Sequence, residues 1–361
     1  MRVLVVNAGS SSLKLSALDG DDAVWSESVG SRELDADAVR DTVRTVGGLE
    51  AVGHRIVHGG SEFTDPVRVD EQVVRRLEAL TDLAPLHQPK SLHALEAVST
   101  ALPKLPAVAC FDTAFHARMP AAASTYAIPL EWRTRWRLRR YGFHGLSHEY
   151  AARRAAELAG RPLEEMRTVT CHLGAGASLA AVDRGISIDT TMGFTPLDGL
   201  VMATRSGSID PGLVLWLEER AELPADEIAS ALEHRSGLAG LAGEADMRVV
   251  LAAESAGNEA AHLAVEVYLH RLRAGIGAMA AALGGLDAIV FTGGVGERSD
   301  AIRARAAAGL QFLGVIVDEV ANTSPTLDAD IGAAGAAVRT FVVAAREDVQ
   351  IARDVRRVLG G

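Results

Sequence analysis

A chain of 361 residues exceeds what one hydrophobic core usually serves, so two domains are expected, with a cleft available between them. Its 48% hydrophobic and 23% charged residues are those of a globular protein, and a formal charge of −11 excludes nucleic acid and anionic membranes as main partners, since both demand a net basic face. The longest uncharged apolar stretch, Ala274 to Leu286, is too short to cross a bilayer and Met1 to Val6 is too short for a signal segment, so a cytoplasmic location is expected.

In chain order, Val3 to Val6 predict a buried strand that enters a hydroxyl-rich turn with Gly9, Ser10, Ser11, Ser12 and then Lys14. A glycine turn, hydroxyls and a point charge suit phosphate oxygens, although the spacing is not that of the common P-loop. Leu18 to Leu49 is rich in Asp, Glu and Gly and reads as a hairpin followed by an exposed connection. A strand at Ala51 to Val57 carries Arg55 into the break at Gly59 and Gly60; helices follow around Glu71 to Leu83 and Ser91 to Thr100, then a strand at Ala107 to Phe111 that ends on Asp112. After Arg140 a comparable order returns: a helix at His148 to Leu158, strands at Thr168 to His172 and Ser178 to Asp183, helices from Pro211, a strand at Asp287 to Phe291 and a C-terminal helix. Each half therefore has a strand running into a small-residue turn, Asn7 to Ser11 and His172 to Ser178, which predicts a structural duplication of mixed α/β domains. Cys110 and Cys171 lie on strands, far apart and without C-x-x-C pairing, and are expected to be small buried residues.

Arg55 at an exposed strand end suits bidentate capture of a carboxylate or phosphate. From Asp189 to Pro211 small and turn-forming residues surround Arg205, and a long ordered loop of this kind is usually functional. Together Arg55 and Arg205 could clamp a small anion and a transferring phosphoryl group. His87, His144, His148 and His172 cluster in this part of the chain, and histidines next to glycine on strand-exit loops are placed to donate to phosphate oxygens. His144 and His148 have zinc-like spacing, but no H-E-x-x-H is present and Gly145 disfavours a helix across the pair. Near the end, Phe291 to Arg298 is a second strand running into glycines, and Glu347 with Asp112 supplies carboxylates of the kind that hold Mg²⁺.

Taken in order, Asn7 to Lys14, Gly53 to Gly60, Ala84 to Pro89, Phe111 to Phe115, Arg140 to Gly145, Met192 to Pro211 and Phe291 to Glu297 closely resemble the acetate kinase family over nearly the whole chain. The resemblance implies an α/β fold of two duplicated ribonuclease H-like (actin-like ATPase) domains around a central cleft. Residues 1–117 with a C-terminal helix at about 350–361 would form the first, and 118–349 the nucleotide-binding second. It implies a cytoplasmic homodimer that moves phosphoryl reversibly from ATP to acetate, giving acetyl phosphate and ADP by direct in-line attack of the carboxylate, with Mg²⁺ or Mn²⁺. Carried over by motif, Asn7 and Glu347 would organise the metal. Ser12, Lys14, His172, Leu173, Gly174, Ala175, Gly176, Asp246, Met247, Arg248, Gly294, Val295, Gly296, Glu297 and Arg298 would surround the nucleotide. Arg55 would bind the acetate carboxylate beside His87, with Val57, Leu86, Phe143 and Pro196 around the methyl. His144 and Arg205 would stabilise the transition state, and Asp112 would be the catalytic acidic residue. A carboxylate needs no base to attack, so Asp112 is expected to orient Arg55 or the metal shell rather than to take a proton.

Three departures from the family pattern stand out. Ala175 replaces a usual Asn and Arg298 another, both on the nucleotide side, so an altered phosphoryl-donor preference is expected, with GTP or pyrophosphate as candidates. Gln88 replaces a usual Asn. The competing readings are a propionate or short-chain acyl kinase and a non-catalytic nucleotide-binding relative; retention of Arg55, Asp112, His144, Arg205 and Glu347 speaks against the second.

Overall fold

The computed structural model describes residues 1–8, 12–30, 35–84, 88–323 and 327–360, without the side chains of Ser12 and Val29. The chain forms two compact units: residues 1–117, 143–150 and 346–361 make the first, and residues 118–142 and 151–345 the second.

The first unit holds strands β1 (Arg2–Ala8), β2 (Ser12–Asp19), β3 (Asp22–Gly30), β4 (Ala51–Ile56), β5 (Val67–Arg68) and β6 (Ala107–Phe111). They form one sheet in the order β3-β2-β1-β4-β6-β5. The second holds β7 (Arg167–Leu173), β8 (Ala177–Asp183), β9 (Ile186–Thr190), β10 (Ala288–Thr292), β11 (Ala329–Asp330) and β12 (Arg339–Val342), in the order β11-β12-β10-β7-β8-β9. Read from β3 and from β9, these are the same permutation. In each sheet the first three strands pair antiparallel, the next two pairings are parallel, and a two-residue edge strand closes the sheet antiparallel. Even the irregularity recurs, at Ala17/Leu18 in β2 and at Ala181/Val182 in β8. The duplication expected from two similar turns is thus a duplication of whole sheets, in the ribonuclease H-like arrangement.

Parallel strands covered on both faces read as continuous apolar runs, and Val3 to Val6 and Ala288 to Phe291 are at most 1% exposed. On one face of the first sheet, Leu4, Val6 and Val52 pack with Val39, Val43 and Val98. The other face carries the helix Glu347–Leu359, which approaches so closely that a Cβ on Gly53 would lie 2.5 Å from Ile351 and 2.7 Å from Val355. Alternation along β4 therefore turns Gly53 and Arg55 toward this helix, and Val52, His54 and Ile56 away from it.

Residues after the first hairpin depart from the expected exposed connection. A helix forms at Ala36–Val43, capped by Asp35 accepting from the Ala38 N–H, with Val39 fully buried and Val43 5% exposed. The valines sit four residues apart, a helical spacing hidden among acidic residues. Both cysteines are buried on strands, and burial pushes their thiols up. Among the described residues no helix is long and apolar enough to cross a membrane.

Candidate active site

In the first unit the parallel strands deliver polar residues to their carboxyl ends, the end at which open α/β sheets bind ligands. Asn7 lies near the end of β1, Arg55 near the end of β4, Asp112 directly after β6, and Glu347 opens the C-terminal helix. Arg55 donates from Nε to Asp112 Oδ1 at 2.9 Å and from Nη2 to Oδ2 at 2.6 Å, a bidentate pair. Its Nη1 donates to Asn7 Oδ1 at 3.0 Å and lies 3.4 Å from Glu347 Oε2, which accepts from Asn7 Nδ2 at 2.8 Å. Four residues from four places in the sequence thus form one cluster. Lys14 faces Asn7 across the β1–β2 pairing.

Burial works against the Arg55 charge, but the carboxylates of Asp112 and Glu347 more than offset it and hold the guanidinium above its ordinary pKa. Burial also pushes the Asp112 carboxyl up, and Arg55 pulls against that push. Arginine does not shed its proton, and protonating Asp112 would strand a buried cation, so the pair stays ionised at neutral pH. Both Asp112 oxygens accept from Arg55, an arrangement that suits the orienting of its guanidinium.

Beside this cluster, Gly145 approaches the Asp112 carbonyl so closely that a Cβ would lie 2.3 Å from its oxygen, and the Gly145 N–H donates to that oxygen at 2.8 Å. A helix, Gly145–Ala159, starts there, so no helix runs across His144 and His148 together, as expected. His144, just outside it, adopts a left-handed backbone, φ 57°, and its carbonyl accepts from the His148 N–H at 2.9 Å. The preceding residue, Phe143, is 2% exposed; its carbonyl accepts from His116 Nε2 at 3.0 Å, and its ring meets that of His58 edge-on at 5.4 Å. His58 and His116 were missed in the sequence. Val57 is 9% exposed, in the segment that leaves β4. Leu86 and His87 lie outside the described residues, as do Gly9, Ser10, Ser11 and the Ser12 side chain.

In the second unit a cavity of about 610 Å³ is lined by Gly174, Ala175, Asp246, Met247, Arg248, Gly294, Val295 and Arg298, eight of the residues expected around the nucleotide. His172, Leu173, Gly176, Gly296 and Glu297 are not on its wall. His172 occupies in β7 the place Asn7 holds in β1, next to last in its strand. Glu297 Oε1 accepts from the N–H groups of Gly293 at 3.1 Å and Ala345 at 2.9 Å, so it braces the turn that carries Gly294. Asp246 caps the helix Met247–Ser255 and pairs with Arg248. Ala203, Glu244 and Tyr268 also line the cavity and carry no motif. Elsewhere in this unit Arg205 donates to the Pro196 carbonyl at 2.8 Å and lies 3.8 Å from Glu233; burial lowers its pKa and Glu233 opposes the shift. The structure therefore joins two residues, Arg205 and Pro196, that were expected to act on different parts of the substrate.

The Acetokinase family model matches residues 31–353. The chain belongs to the acetokinase family. It is an enzyme of that family, a kinase. It is 42% identical over 391 residues to the acetate kinase of Geobacillus kaustophilus, covering 99% of each chain, and 50% identical over 308 residues to that of Gloeobacter violaceus, covering 85% of this chain and 76% of the relative. Among solved structures it resembles acetate kinase from Porphyromonas gingivalis at TM-score 0.92 and 34% identity, over 99% of each chain. It also resembles a propionate kinase from Francisella tularensis at TM-score 0.90 and 33% identity, over 98% of each chain.

Proposed function

We propose that the chain catalyses reversible phosphoryl transfer between ATP and acetate, with Arg55 as the carboxylate anchor. The observation that carries this is how the Arg55 donors are used. Asp112 occupies the side formed by Nε and Nη2, and Asn7 takes one N–H of Nη1. One N–H on each terminal nitrogen then remains, with Glu347 Oε2 3.4 Å from Nη1, and a small carboxylate can accept from such a pair with both oxygens.

The acetate carboxylate is already ionised at neutral pH. One of its oxygens forms a bond to the γ-phosphorus, the bond from that phosphorus to the β–γ bridging oxygen breaks, and the electron pair leaves with ADP. No proton moves. Catalysis reduces to bringing two anions together and balancing their charge, the task of His144 and Arg205. Glu347 and Asn7 fit a Mg²⁺ ion, which takes few protein oxygens and completes its shell with phosphates and water. When bound there it would neutralise phosphate charge. Lys14 belongs with the phosphates, and the cavity lined by Gly174, Asp246 and Gly294 with the nucleoside. Ala175 and Arg298 face that same cavity, so donor choice is assigned there.

The family resemblance assigns Val57, Leu86, Phe143 and Pro196 to the acyl chain, and all four are apolar. The likeness to a propionate kinase supports propionate as a slower second substrate. Replacing Arg55 by Lys keeps the charge and loses the fork. The kcat/KM for acetate is expected to fall by ~10²–10³-fold, as for a truncated buried charge pair, with KM for ATP within about threefold of the parent. An unchanged KM for acetate would remove Arg55 from this role.

A further inference from the structure

Behind the acyl wall lies a side chain that touches neither the reacting groups nor the Arg55 cluster. Gln88 opens the helix Gln88–Ala101 and is 0% exposed. Its Oε1 accepts from the His58 N–H at 3.3 Å, and its Nε2 donates to the His58 carbonyl at 3.2 Å and to the Leu77 carbonyl at 3.4 Å. One amide thus holds both backbone polar groups of a residue just past the end of β4. The ring of the clamped residue is fixed too. His58 Nδ1 accepts from the Gly60 N–H at 2.8 Å, which sets its tautomer, and burial lowers its pKa to about 4, so it stays neutral. The edge of that ring meets Phe143. Gly59, next along, donates to Thr113 Oγ1 at 3.0 Å.

We propose that Gln88, acting through His58, is a positioning residue that sets acyl-chain selectivity by fixing Val57 on one side and Phe143 on the other. The inference rests on the proposed acyl kinase function, in which Val57 and Phe143 border the substrate's alkyl group. Gln88 is one methylene longer than asparagine, and that length lets it span the N–H and C=O of a single residue while also reaching Leu77. A shorter amide releases at least one of the three. The His58 ring then loses its fixed position, and Phe143 gains room to retreat from the alkyl group.

The test uses the full chain and its Gln88→Asn and Gln88→Glu variants, with kcat and KM measured for acetate, propionate and ATP. In Gln88→Asn the propionate-to-acetate ratio of kcat/KM is expected to rise by ~5–10-fold, within the range a methylene-sized change in a pocket commands, with KM for ATP unchanged. Gln88→Glu keeps the length but at neutral pH sets a carboxylate against two carbonyls. Its ratio is expected to be raised at pH 8 and to return toward the parent value as the pH falls and the buried carboxyl takes up a proton. Should Gln88→Asn fail to fold, the pH profile of Gln88→Glu carries the test alone. A ratio unchanged in a folded variant, or a loss of kcat spread equally over acetate, propionate and ATP, overturns the positioning role and leaves the acyl kinase reading standing. A parent chain that forms no acyl phosphate overturns both.

Discussion

Two side chains in adjacent positions, Arg55 partly exposed and His54 buried, show how different the demands on one strand are. Arg55 is held by Asp112 and Asn7 with Glu347 nearby, and still keeps donors to spare. His54, on the opposite face, is 1% exposed, and neither of its ring nitrogens has a hydrogen-bond partner among the described residues. Replacing Asp112 by Asn removes the counter-charge that orients Arg55, and kcat/KM for acetate is expected to fall by ~10–100-fold. Near-normal turnover with unaltered Mg²⁺ dependence would contradict that role. Replacing His54 by Leu removes a buried unsatisfied group and is expected to raise stability by ~1–2 kcal/mol, read as a higher thermal midpoint. Burial lowers the pKa of His54 to about 3 and those of His58 and His116 to about 4, from an ordinary 6.5. The neutral ring is the native form, so the unfolded chain takes up these protons first. The stability they supply is full above about pH 6.5 and is lost as the pH falls toward 3 to 4, by ~1.4 kcal/mol per pH unit for each ring. In His54→Leu the histidine part of that slope should shrink by about a third; an identical acid limb in both proteins would contradict the assignment.

At the scale of elements, the legible parts of the sequence were those where a strand ends in chemistry. Asn7 and Asp112 each follow an apolar run and Arg55 sits near the end of a strand, and the structure ties both to Arg55 by hydrogen bonds. His54, His58 and His116 were not legible, because a buried neutral histidine and a surface one look alike until the opposite face of the strand is known. The helix Ala36–Val43 was hidden for a related reason: two valines among acidic residues decide its buried face. The complete permutation of the two sheets was only half visible, since strands of two residues, β5 and β11, are too short to carry a pattern. Gly145 does keep the helix from running across His144, but its second constraint, proximity to Asp112, was not legible. In Gly145→Ala the Cβ would meet the Asp112 carbonyl at 2.3 Å, and the backbone that carries Asp112 and His144 must shift. A stability loss of ~1–3 kcal/mol is expected, together with a kcat loss larger than that of a substitution at the open Gly277. A Gly145→Ala enzyme with parental kcat would refute the constraint.

For the whole molecule, two sheets of one permutation are the frame on which the site residues are hung, and the acetokinase family is the one to which the frame and the motifs belong. The second unit also carries surface that a soluble monomer would not favour: on the helix Pro211–Glu219, Leu213 is 46% exposed, Leu215 54% and Trp216 57%. We expect this face to be covered in a homodimer, with Trp216→Glu shifting sedimentation from dimer toward monomer; a parent chain that sediments as a monomer at micromolar concentration would contradict it. The central claim concerns what the Arg55 cluster is for, and trapping of the acyl phosphate with hydroxylamine tests it most directly. With ATP and Mg²⁺, the parent chain should convert acetate to the hydroxamate with the highest kcat/KM, propionate more slowly and butyrate least. No hydroxamate from any of the three, or equal efficiency on acetate and butyrate, would contradict the account.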